Sequence, residues 1–400
     1  MRLLIIKFKT LYNLIYPTCI FCFFLFYLVV SPINRIFPFS LNRLAVFVFL
    51  ILFLLRVLTK QLRNLFVYLV FGFLLFVLIY TSVLTRKEVF KENLEDYIYF
   101  SMTILCFLLL LDFDLLSRLK RLFQINKLII VVFVAFVIAM FSISFLFKSS
   151  FETDGAFRGF TVISHAVATV SILCIVMLLA AKIKLPIWYL PFIVFIFLSK
   201  ARTFLILLVP LMLVYCLLVF NKKIIGISVF VFACVCGAII IPFSPIGQKI
   251  AEASSRWYRN HPIDAISNTR SIMWTDCLSA YLSKGFLNII FGNGFSFVRD
   301  TISSDLTARL WAHNDVIEIL CSTGIFGLFI YLSIFIKGIF YKSTYSKILL
   351  IILFGISALL NGFMLYFPLP LSCVVVACML TESSEKILYQ KKRIHCEVSI

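Results

Sequence analysis

The sequence predicts an all-α polytopic membrane protein with about 12 transmembrane helices and one long periplasmic loop before the tenth span. The first observation is composition: mean hydropathy is +1.08 and 62% of the residues are hydrophobic, whereas ordinary soluble domains are roughly half apolar. The second is the placement of charge, because the basic residues behind the net charge of +19 lie in short clusters between apolar runs. Such clusters indicate membrane topology rather than a nucleic-acid partner. The composition therefore excludes a soluble globular protein.

The apolar runs are spaced along the whole chain, and each is near the length that crosses a bilayer. They fall at residues 11–30, 41–58, 64–84, 97–111, 127–147, 162–181, 185–199, 202–220, 223–241, 313–336, 347–363 and 367–381. The first run resembles a signal peptide, but no small-residue cleavage site follows it, so we expect a retained first span. Most of the 12 cysteines lie inside these runs, without metal-binding or disulfide spacing.

The basic clusters orient the predicted helices. With the N-terminus in the cytoplasm, the clusters within 2–9, 56–63, 118–127 and 386–393 all lie on the inside, as the positive-inside rule requires. Both termini are then cytoplasmic. The division that follows is helices 1 to 9 in residues 1–241, the long loop in 242–312, helices 10 to 12 in 313–381 and a cytoplasmic tail in 382–400.

The loop at 242–312 is rich in basic and aromatic side chains, a mixture that suits phosphates and sugar rings. At about 70 residues it is small for an independent domain, so we expect it to pack on the membrane helices. Residues 269–281 have helical spacing, with an apolar face formed by Ile272, Leu278 and Tyr281. The loop therefore has structure of its own and faces the periplasm.

The stretch from Arg309 to Gly327 joins this loop to the tenth predicted span. Asp315 and Glu318 have the spacing of an N-terminal capping box, so a helix should begin near Asp315 and continue into the apolar run. His313 then lies at the mouth of the helix, where unpaired N–H groups and the helix dipole favour anions. The alternative is that His-Asn-Asp merely caps a transmembrane helix at the interface.

A second unusual point is the turn between the seventh and eighth spans, Ser199-Lys200-Ala-Arg202-Thr203. Two cations in so tight an outward turn run against the positive-inside tendency, and an arginine near membrane depth is costly without a partner. One interpretation is that both side chains snorkel to the interface. The other is that Arg202 binds an anion, since its planar fork donates two parallel hydrogen bonds to phosphate oxygens.

The order of these features resembles the bacterial O-antigen polymerase and O-antigen ligase family. The features are the arginine in Ser-Lys-Ala-Arg202-Thr, Arg270 four residues before Trp274, the turn Phe-Gly-Asn-Gly294-Phe, and His-Asn-Asp ahead of Gly-Ile-Phe-Gly327. Members of the family are glycosyltransferases of the bacterial inner membrane with a periplasmic active site. The motifs lie within 199–330, and the resemblance implies catalytic roles for Arg202, Arg270 and His313.

Within this family, His-Asn-Asp followed by Glu-Ile-Leu is closer to polymerases than to ligases. The resemblance therefore implies an O-antigen polymerase, which joins undecaprenyl-diphosphate-linked oligosaccharide repeats. The alternative is an O-antigen ligase, which transfers the finished polymer to lipid A-core. The partners implied are the lipid-linked oligosaccharide, membrane lipid and a chain-length regulator, with no nucleic acid, no cofactor and no metal ligand.

The chemistry of such a transfer follows from the residue types. Nucleotide sugars and ATP are absent outside the inner membrane, so the donor carries its own diphosphate leaving group. Arg202, Arg270 and the helix mouth supply fixed positive groups that stabilise the charge growing on the diphosphate, without a metal. A histidine at a helix N-terminus has a lowered pKa, so His313 is expected to be neutral and to accept the proton of the acceptor hydroxyl.

Further residues are predicted to bind substrate around these three. They are Arg309, Trp274, Asn314, Asp315 and Lys200. Asp315 or Glu318 either orients the imidazole of His313 or caps the helix, and the spacing favours capping.

Four other candidates receive structural interpretations. Asp112-Phe-Asp114 has the DxD spacing of metal-dependent glycosyltransferases, but it lies on the cytoplasmic side without a nucleotide-binding domain, which favours an interfacial flank. His165, near the start of the sixth span, is interpreted as a packed or pore-facing residue. His261 precedes a proline and is interpreted as a turn residue. The outward segment 148–161 is interpreted as a solvated loop.

A transporter of polysaccharide or lipid-linked sugar is the rival from another functional class, since many spans and intramembrane charges also describe flippases. Such folds usually show two repeated halves and short outer loops. This chain has no internal repeat and carries one long loop with arginine, tryptophan and histidine residues. The asymmetry favours an enzyme, and a scaffold role does not call for so many spans.

Overall fold

The computed structural model describes residues 2–36, 41–56, 65–84, 90–152, 155–161, 163–220, 223–240, 243, 270–305, 311–340, 342 and 344–380. Throughout that part of the chain the regular elements are helical, so the chain is an all-α membrane protein. The α-helices are α1 (Arg2–Ile33), α2 (Leu41–Arg56), α3 (Leu65–Leu84), α4 (Phe90–Leu109), α5 (Phe113–Ile125), α6 (Lys127–Ser144), α7 (Ser164–Ala180), α8 (Leu190–Leu198), α9 (Arg202–Val219), α10 (Lys223–Ile240), α11 (Arg270–Leu282), α12 (Phe286–Phe291), α13 (Ser296–Asp305), α14 (Asp315–Phe340), α15 (Thr344–Leu360) and α16 (Pro368–Leu380).

Every apolar run identified in the sequence coincides with one of these helices. Among the described residues, five segments are long and apolar enough to cross a membrane: Ile15–Ile33, Phe66–Val83, Lys127–Ser144, Arg202–Val219 and Asp315–Phe340. The pair α4 and α5, bent by 89°, makes a sixth if it is taken as one broken span. Shorter apolar helices accompany them. The total of about 12 spans stays a prediction, as does the division into membrane and loop segments.

Helices α7 and α16 pack against each other at the centre of the bundle, and almost all of their residues are buried. Both are apolar on every side, as expected of a helix that other helices surround. Their few hydroxyls satisfy their own helix: Ser171 Oγ donates to the Val167 carbonyl at 2.7 Å, and Ser372 Oγ donates to the Pro368 carbonyl at 2.7 Å. Helices α9 and α15 pack on this core, and one end of each contributes to the candidate site.

The interpretation of Asp112 and Asp114 as an interfacial flank is wrong for Asp112. Its side chain is buried, caps α5 by accepting from the Leu115 N–H at 3.1 Å, and pairs with the buried Arg56 at 2.6 Å. Buried Lys342 lies against the Phe113 ring beside this pair. We call Arg56, Asp112 and Lys342 the Arg56 cluster. Sequence spacing missed it because Arg56 lies on α2, far away in the chain.

The described part of the long loop, 270–305, forms α11, α12 and α13, which pack on α14, with α13 also against α4. The expected packing on the membrane helices is therefore confirmed there, and the predicted helix over 269–281 is α11. Its predicted apolar face needs correction, because Ile272 is exposed. The buried face is Met273, Cys277 and Tyr281, at the i, i+4 spacing that faces one neighbour. His261 lies outside the described residues.

Helix α14 is interrupted at Gly324, although the sequence runs on without a break. Gly324 has φ +72° and ψ −177°, so the carbonyls of the preceding turn lose their intrahelical partners. The predicted turn after α12 replaces them: Asn293 N–H donates to the Cys321 carbonyl at 2.9 Å and Gly294 N–H to the Ser322 carbonyl at 3.0 Å. A side chain on Gly324 would overlap the Ile290 carbonyl. The loop and the first half of α14 are thus joined backbone to backbone.

Candidate active site

The N-terminus of α14 and the C-terminus of α15 meet at the candidate site. The Asn314 side chain accepts from the Val316 and Ile317 N–H groups, at 3.0 and 3.3 Å, and is therefore the N-cap of α14. The helix begins at Asp315, as predicted. Asn314 was predicted to bind substrate, and its side-chain oxygen is instead engaged by the helix.

The spacing of Asp315 and Glu318 favoured a capping role, but the Asp315 side chain does not cap α14. Its carboxylate accepts from the Phe363 N–H at 3.0 Å, the Met364 N–H at 2.8 Å and the Tyr331 hydroxyl at 3.3 Å. Only 1% of the residue is exposed. Asp315 therefore fastens the segment after α15 to the start of α14, and neither caps the helix nor orients the imidazole. Substrate binding by Asp315 stays an untested prediction.

Two side chains fix the backbone just before His313. The Trp274 indole N–H donates to the Ala312 carbonyl at 2.6 Å, and the Glu318 carboxylate accepts from the Ala312 N–H at 3.1 Å. Glu318 thus reaches back beyond the helix start, as the Glu of a capping box does. Trp274, predicted to bind substrate, is engaged through its polar atom with the protein. The region around His313 is therefore held from α11 and from α14.

His313 lies at the mouth of α14, as the sequence predicted. Its backbone has φ +53°, a left-handed conformation that is costly for a residue with a side chain and that persists only where the surroundings hold it. Its Nδ1 is buried and finds no hydrogen-bond partner among the described residues. The ring of Trp311 lies 6.4 Å away, centroid to centroid.

The environment of His313 keeps its imidazole neutral. Burial lowers its pKa to about 4, the charge of Arg270 lowers it further, and a hydrogen bond with the Asn361 backbone works in the opposite direction. The sequence predicted a neutral histidine from the helix dipole, whereas the structure places burial and Arg270 first. His313 is therefore unprotonated at neutral pH.

Arg270 is the first residue of α11 and bonds to the end of α15. Its Nη1 donates to the Leu360 carbonyl, and its Nη2 donates to Asn361 Oδ1 at 3.2 Å. Burial lowers the pKa of Arg270, and the neighbouring Arg202 lowers it further, while Tyr366 opposes them. Within the described part of the chain, no carboxylate pairs with Arg270 or with Arg202. Two arginines thus share a half-buried site without an anion to balance them.

Arg202 begins α9, directly after the predicted tight turn. Lys200 in this turn has φ +54°, and the turn is braced by the Phe157 N–H, which donates to the Leu198 carbonyl at 2.9 Å. The interpretation of 148–161 as a solvated loop is therefore wrong in part, because Phe157 is buried. The Lys200 side chain extends back to Gly155, which lies in the segment 148–161. A neighbouring segment thus packs against the turn that precedes Arg202, and Arg202 lies near Arg270, whereas the Lys200 Nζ lies over Gly155.

Three residues of the site were missed in the sequence: Asn361 and Tyr366, which follow α15, and His165, which was interpreted as a packed or pore-facing residue. The Tyr366 hydroxyl lies 3.4 Å from His165 Nδ1, and both rings contact Phe204. Burial raises the pKa of Tyr366, and Arg270 lowers it. The available signal was the polar Asn361-Gly362 pair at the end of an apolar run.

Arg309, predicted to bind substrate, lies outside the described residues. Within the part of the chain that is described, no three His, Cys, Asp or Glu side chains come together as metal ligands would. The described geometry therefore offers a cationic site with one neutral base, formed by Arg202, Arg270 and His313.

Residues 187–332 match the family model described as O-antigen ligase. The match spans 146 of the 400 residues and supports the resemblance to the O-antigen polymerase and ligase family. The resemblance seen in the motifs is thereby confirmed, and members of this family are glycosyltransferase-type enzymes. The matched region contains Arg202, Arg270 and His313, whereas His165 and Asn361 lie outside it. The comparison with curated proteins found no match.

Proposed function

We propose that this protein is an O-antigen polymerase. It joins undecaprenyl-diphosphate-linked oligosaccharide repeats into polysaccharide at the periplasmic face of the bacterial inner membrane, with both of its termini in the cytoplasm. The observation that carries the proposal is the pair Arg202 and Arg270, for which the described residues supply no carboxylate partner, beside a neutral His313 at a helix mouth. A buried positive charge is costly, and such a site recovers that cost when it binds an anion.

The donor in this proposal is the growing chain on its lipid carrier. The bond between the anomeric carbon and the diphosphate oxygen breaks, and its electron pair leaves with undecaprenyl diphosphate. Arg202 and Arg270 bind the phosphate oxygens, and the unpaired N–H groups of α14 add positive charge nearby. Because these groups are fixed and partly shielded from water, they stabilise the charge that grows on the leaving group.

The acceptor is a sugar hydroxyl of a new lipid-linked repeat. Its oxygen forms the new glycosidic bond, and its proton passes to His313. We assign Nδ1 as the acceptor atom, because it has no partner among the described residues while the Asn361 backbone accepts from the ring. The bound diphosphate then faces the imidazolium, so its negative charge offsets the repulsion from Arg270.

A ligase is the second candidate, since the matching family model is described as O-antigen ligase. The same donor would then meet lipid A-core as acceptor. The stretch His313-Asn314-Asp315, followed by Glu318-Ile-Leu, supports the polymerase, because it is closer to the polymerase members of the family. Both reactions use the cationic site and the base in the same way.

The lipopolysaccharide banding pattern of the source bacterium tests the proposal. We expect that deleting the gene leaves a core with a single repeat, and that wild-type protein but not His313→Ala restores the ladder. A bare core with long polymer still on the lipid carrier would instead identify a ligase. An unchanged ladder would contradict both reactions, and loss of lipid translocation with normal transfer by purified protein would identify a transporter.

A further inference from the structure

Asn361 contacts two parts of the site that come from different helices, Arg270 of α11 and His313 at the start of α14. Asn361 directly follows the last residue of α15 and is 1% exposed. Its side-chain oxygen accepts from Arg270 Nη2 at 3.2 Å, and its backbone forms a hydrogen bond with the His313 ring. One residue therefore contacts both the proposed diphosphate-binding arginine and the proposed base.

Neutral acceptors hold the Arg270 guanidinium in this position. Leu360 is the last residue of α15, and its carbonyl is one of those that a helix end leaves without an intrahelical partner. The C-terminal end of a helix carries a partial negative charge, which favours a cation there. The acceptors are a carbonyl and an amide rather than a carboxylate, so Arg270 is oriented and keeps its formal charge.

The position of Asn361 is itself fixed from α14. Gly362 has φ +85°, which lets the chain turn directly after Asn361. The next two N–H groups, of Phe363 and Met364, both donate to the Asp315 carboxylate. Because Asp315 begins the helix whose mouth holds His313, the distance between Asn361 and His313 is set by a rigid connection.

We propose that Asn361 is a positioning residue that aims Arg270 at the donor diphosphate and must be uncharged to do so. This inference rests on the proposed function, because it assumes that Arg270 binds the diphosphate. A carboxylate at residue 361 would form an ion pair with Arg270 and compete with the substrate for its charge. An amide, by contrast, orients the guanidinium and leaves its positive charge for the ligand.

The test compares Asn361→Asp, Asn361→Ala and Asn361→Ser in the purified full-length chain. Two readouts are needed: binding of inorganic diphosphate, and glycosyl transfer from a lipid-linked donor in liposomes. We expect Asn361→Asp to reduce kcat/KM by about 100-fold, as the loss of one charge-stabilising group does. Asn361→Ala and Asn361→Ser lose one hydrogen bond to a charged group and should cost about 10-fold. Diphosphate affinity should fall most for Asn361→Asp.

Ser357→Ala is the matched control, because Ser357 is a buried polar residue one turn earlier on the same helix. It should leave transfer and diphosphate affinity unchanged. Thermal midpoints in detergent show whether each variant is folded, and Asn361→Ser retains a neutral polar group if Asn361→Ala unfolds. A merely structural role would lower the midpoints of all three variants at Asn361 without separating the charged one.

The inference is overturned if Asn361→Asp binds diphosphate as tightly as Asn361→Ala or as the wild type does. Its failure can be told from failure of the proposed function. If the wild type transfers sugar, but Asn361→Asp binds diphosphate as tightly as Asn361→Ala, only the role of Asn361 is contradicted. If the wild type transfers no sugar, but Asn361→Asp weakens diphosphate binding more than Asn361→Ala does, only the polymerase is contradicted. That outcome supports the assignment of Arg270 and Asn361 to an anion site.

Discussion

Two arginines at opposite ends of α14, the buried Arg56 and the half-buried Arg270, have opposite surroundings. In the Arg56 cluster, beyond the C-terminal end of the helix, Arg56 is 2% exposed and pairs with Asp112 at 2.6 Å. At the N-terminal end, the partners of Arg270 among the described residues are a carbonyl and an amide, with Arg202 nearby. The first arrangement cancels a charge and connects helices. The second preserves a charge, which a structural arginine has no need to do.

Arg270→Ala is the variant with the largest expected effect, and it acts on activity. Transfer from the lipid-linked donor should fall by about 100- to 1000-fold, because a fixed charge opposite the leaving group is lost. The free energy of unfolding should fall by only about 1 kcal/mol, since the cation at the end of α15 contributes little more. Initial rates in liposomes and denaturant unfolding in detergent measure the two quantities. A large loss of stability would make Arg270 a structural residue like Arg56.

Asp112→Asn should produce the reverse pattern. The buried Arg56 loses its closest carboxylate, which costs about 3–5 kcal/mol of unfolding free energy. The fraction that remains folded should transfer sugar at the wild-type rate. Asp114→Asn is the matched control, because Asp114 lies 4.0 Å from Arg56 and is 43% exposed, so it should cost less than about 1 kcal/mol. Equal unfolding curves for the two variants would contradict the assigned roles.

Asp315→Asn should have an intermediate effect, on both activity and stability. An amide offers one oxygen where the carboxylate used two, so one N–H of the segment after α15 loses its acceptor. We expect a loss of about 1–3 kcal/mol for a buried unsatisfied group, and slower transfer because Asn361 is no longer fixed. The free energy of unfolding and kcat measure the two effects. Asp276→Asn on α11 is the control, and wild-type kcat in Asp315→Asn would refute the positioning role.

The smallest predicted effect is a shift in pH dependence. Activity requires neutral His313, so it is present above the pKa of this residue and lost as the pH falls through it. With a pKa of about 4 in the free protein, the acidic limb of kcat/KM should lie near pH 4. The limb of kcat should lie higher, because the bound diphosphate favours imidazolium. In Arg270→Gln the kcat/KM limb should also move upward. If the acidic limb of Arg270→Gln stays at the wild-type pH, the charge of Arg270 does not lower the pKa of His313, which contradicts this prediction.

The sequence predicted the helical runs well and the site in part. Apolar length and charge clusters are local properties, so the helices and the positions of Arg202, Arg270 and His313 were accessible to it. The break at Gly324 was missed, because apolar residues continue through it and only the inserted turn of the loop explains it. A bond between segments far apart in the chain leaves no periodic signal.

The same reason explains the two polar networks that sequence spacing missed. Asp315 and Glu318 have the spacing of a capping box, yet only Glu318 uses it, while Asp315 bonds to residues 363 and 364. Asn361 comes from the end of a different helix, and the polar Asn361-Gly362 pair marks only the end of an apolar run, not its contact with Arg270. The sequence around Asp112 indicates an interfacial acid, whereas the structure shows that it pairs with Arg56 of another helix. Each of these roles depends on which helix ends meet.

The most direct test of the account is polymer formation by the purified protein in liposomes that contain a single undecaprenyl-diphosphate-linked repeat. We expect a ladder of longer lipid-linked products, with one undecaprenyl diphosphate released for each bond formed and without added metal. Arg270→Ala should lower both elongation and release by about 100- to 1000-fold. Failure of the wild type to elongate the repeat while its acceptor and donor are both present would contradict the polymerase.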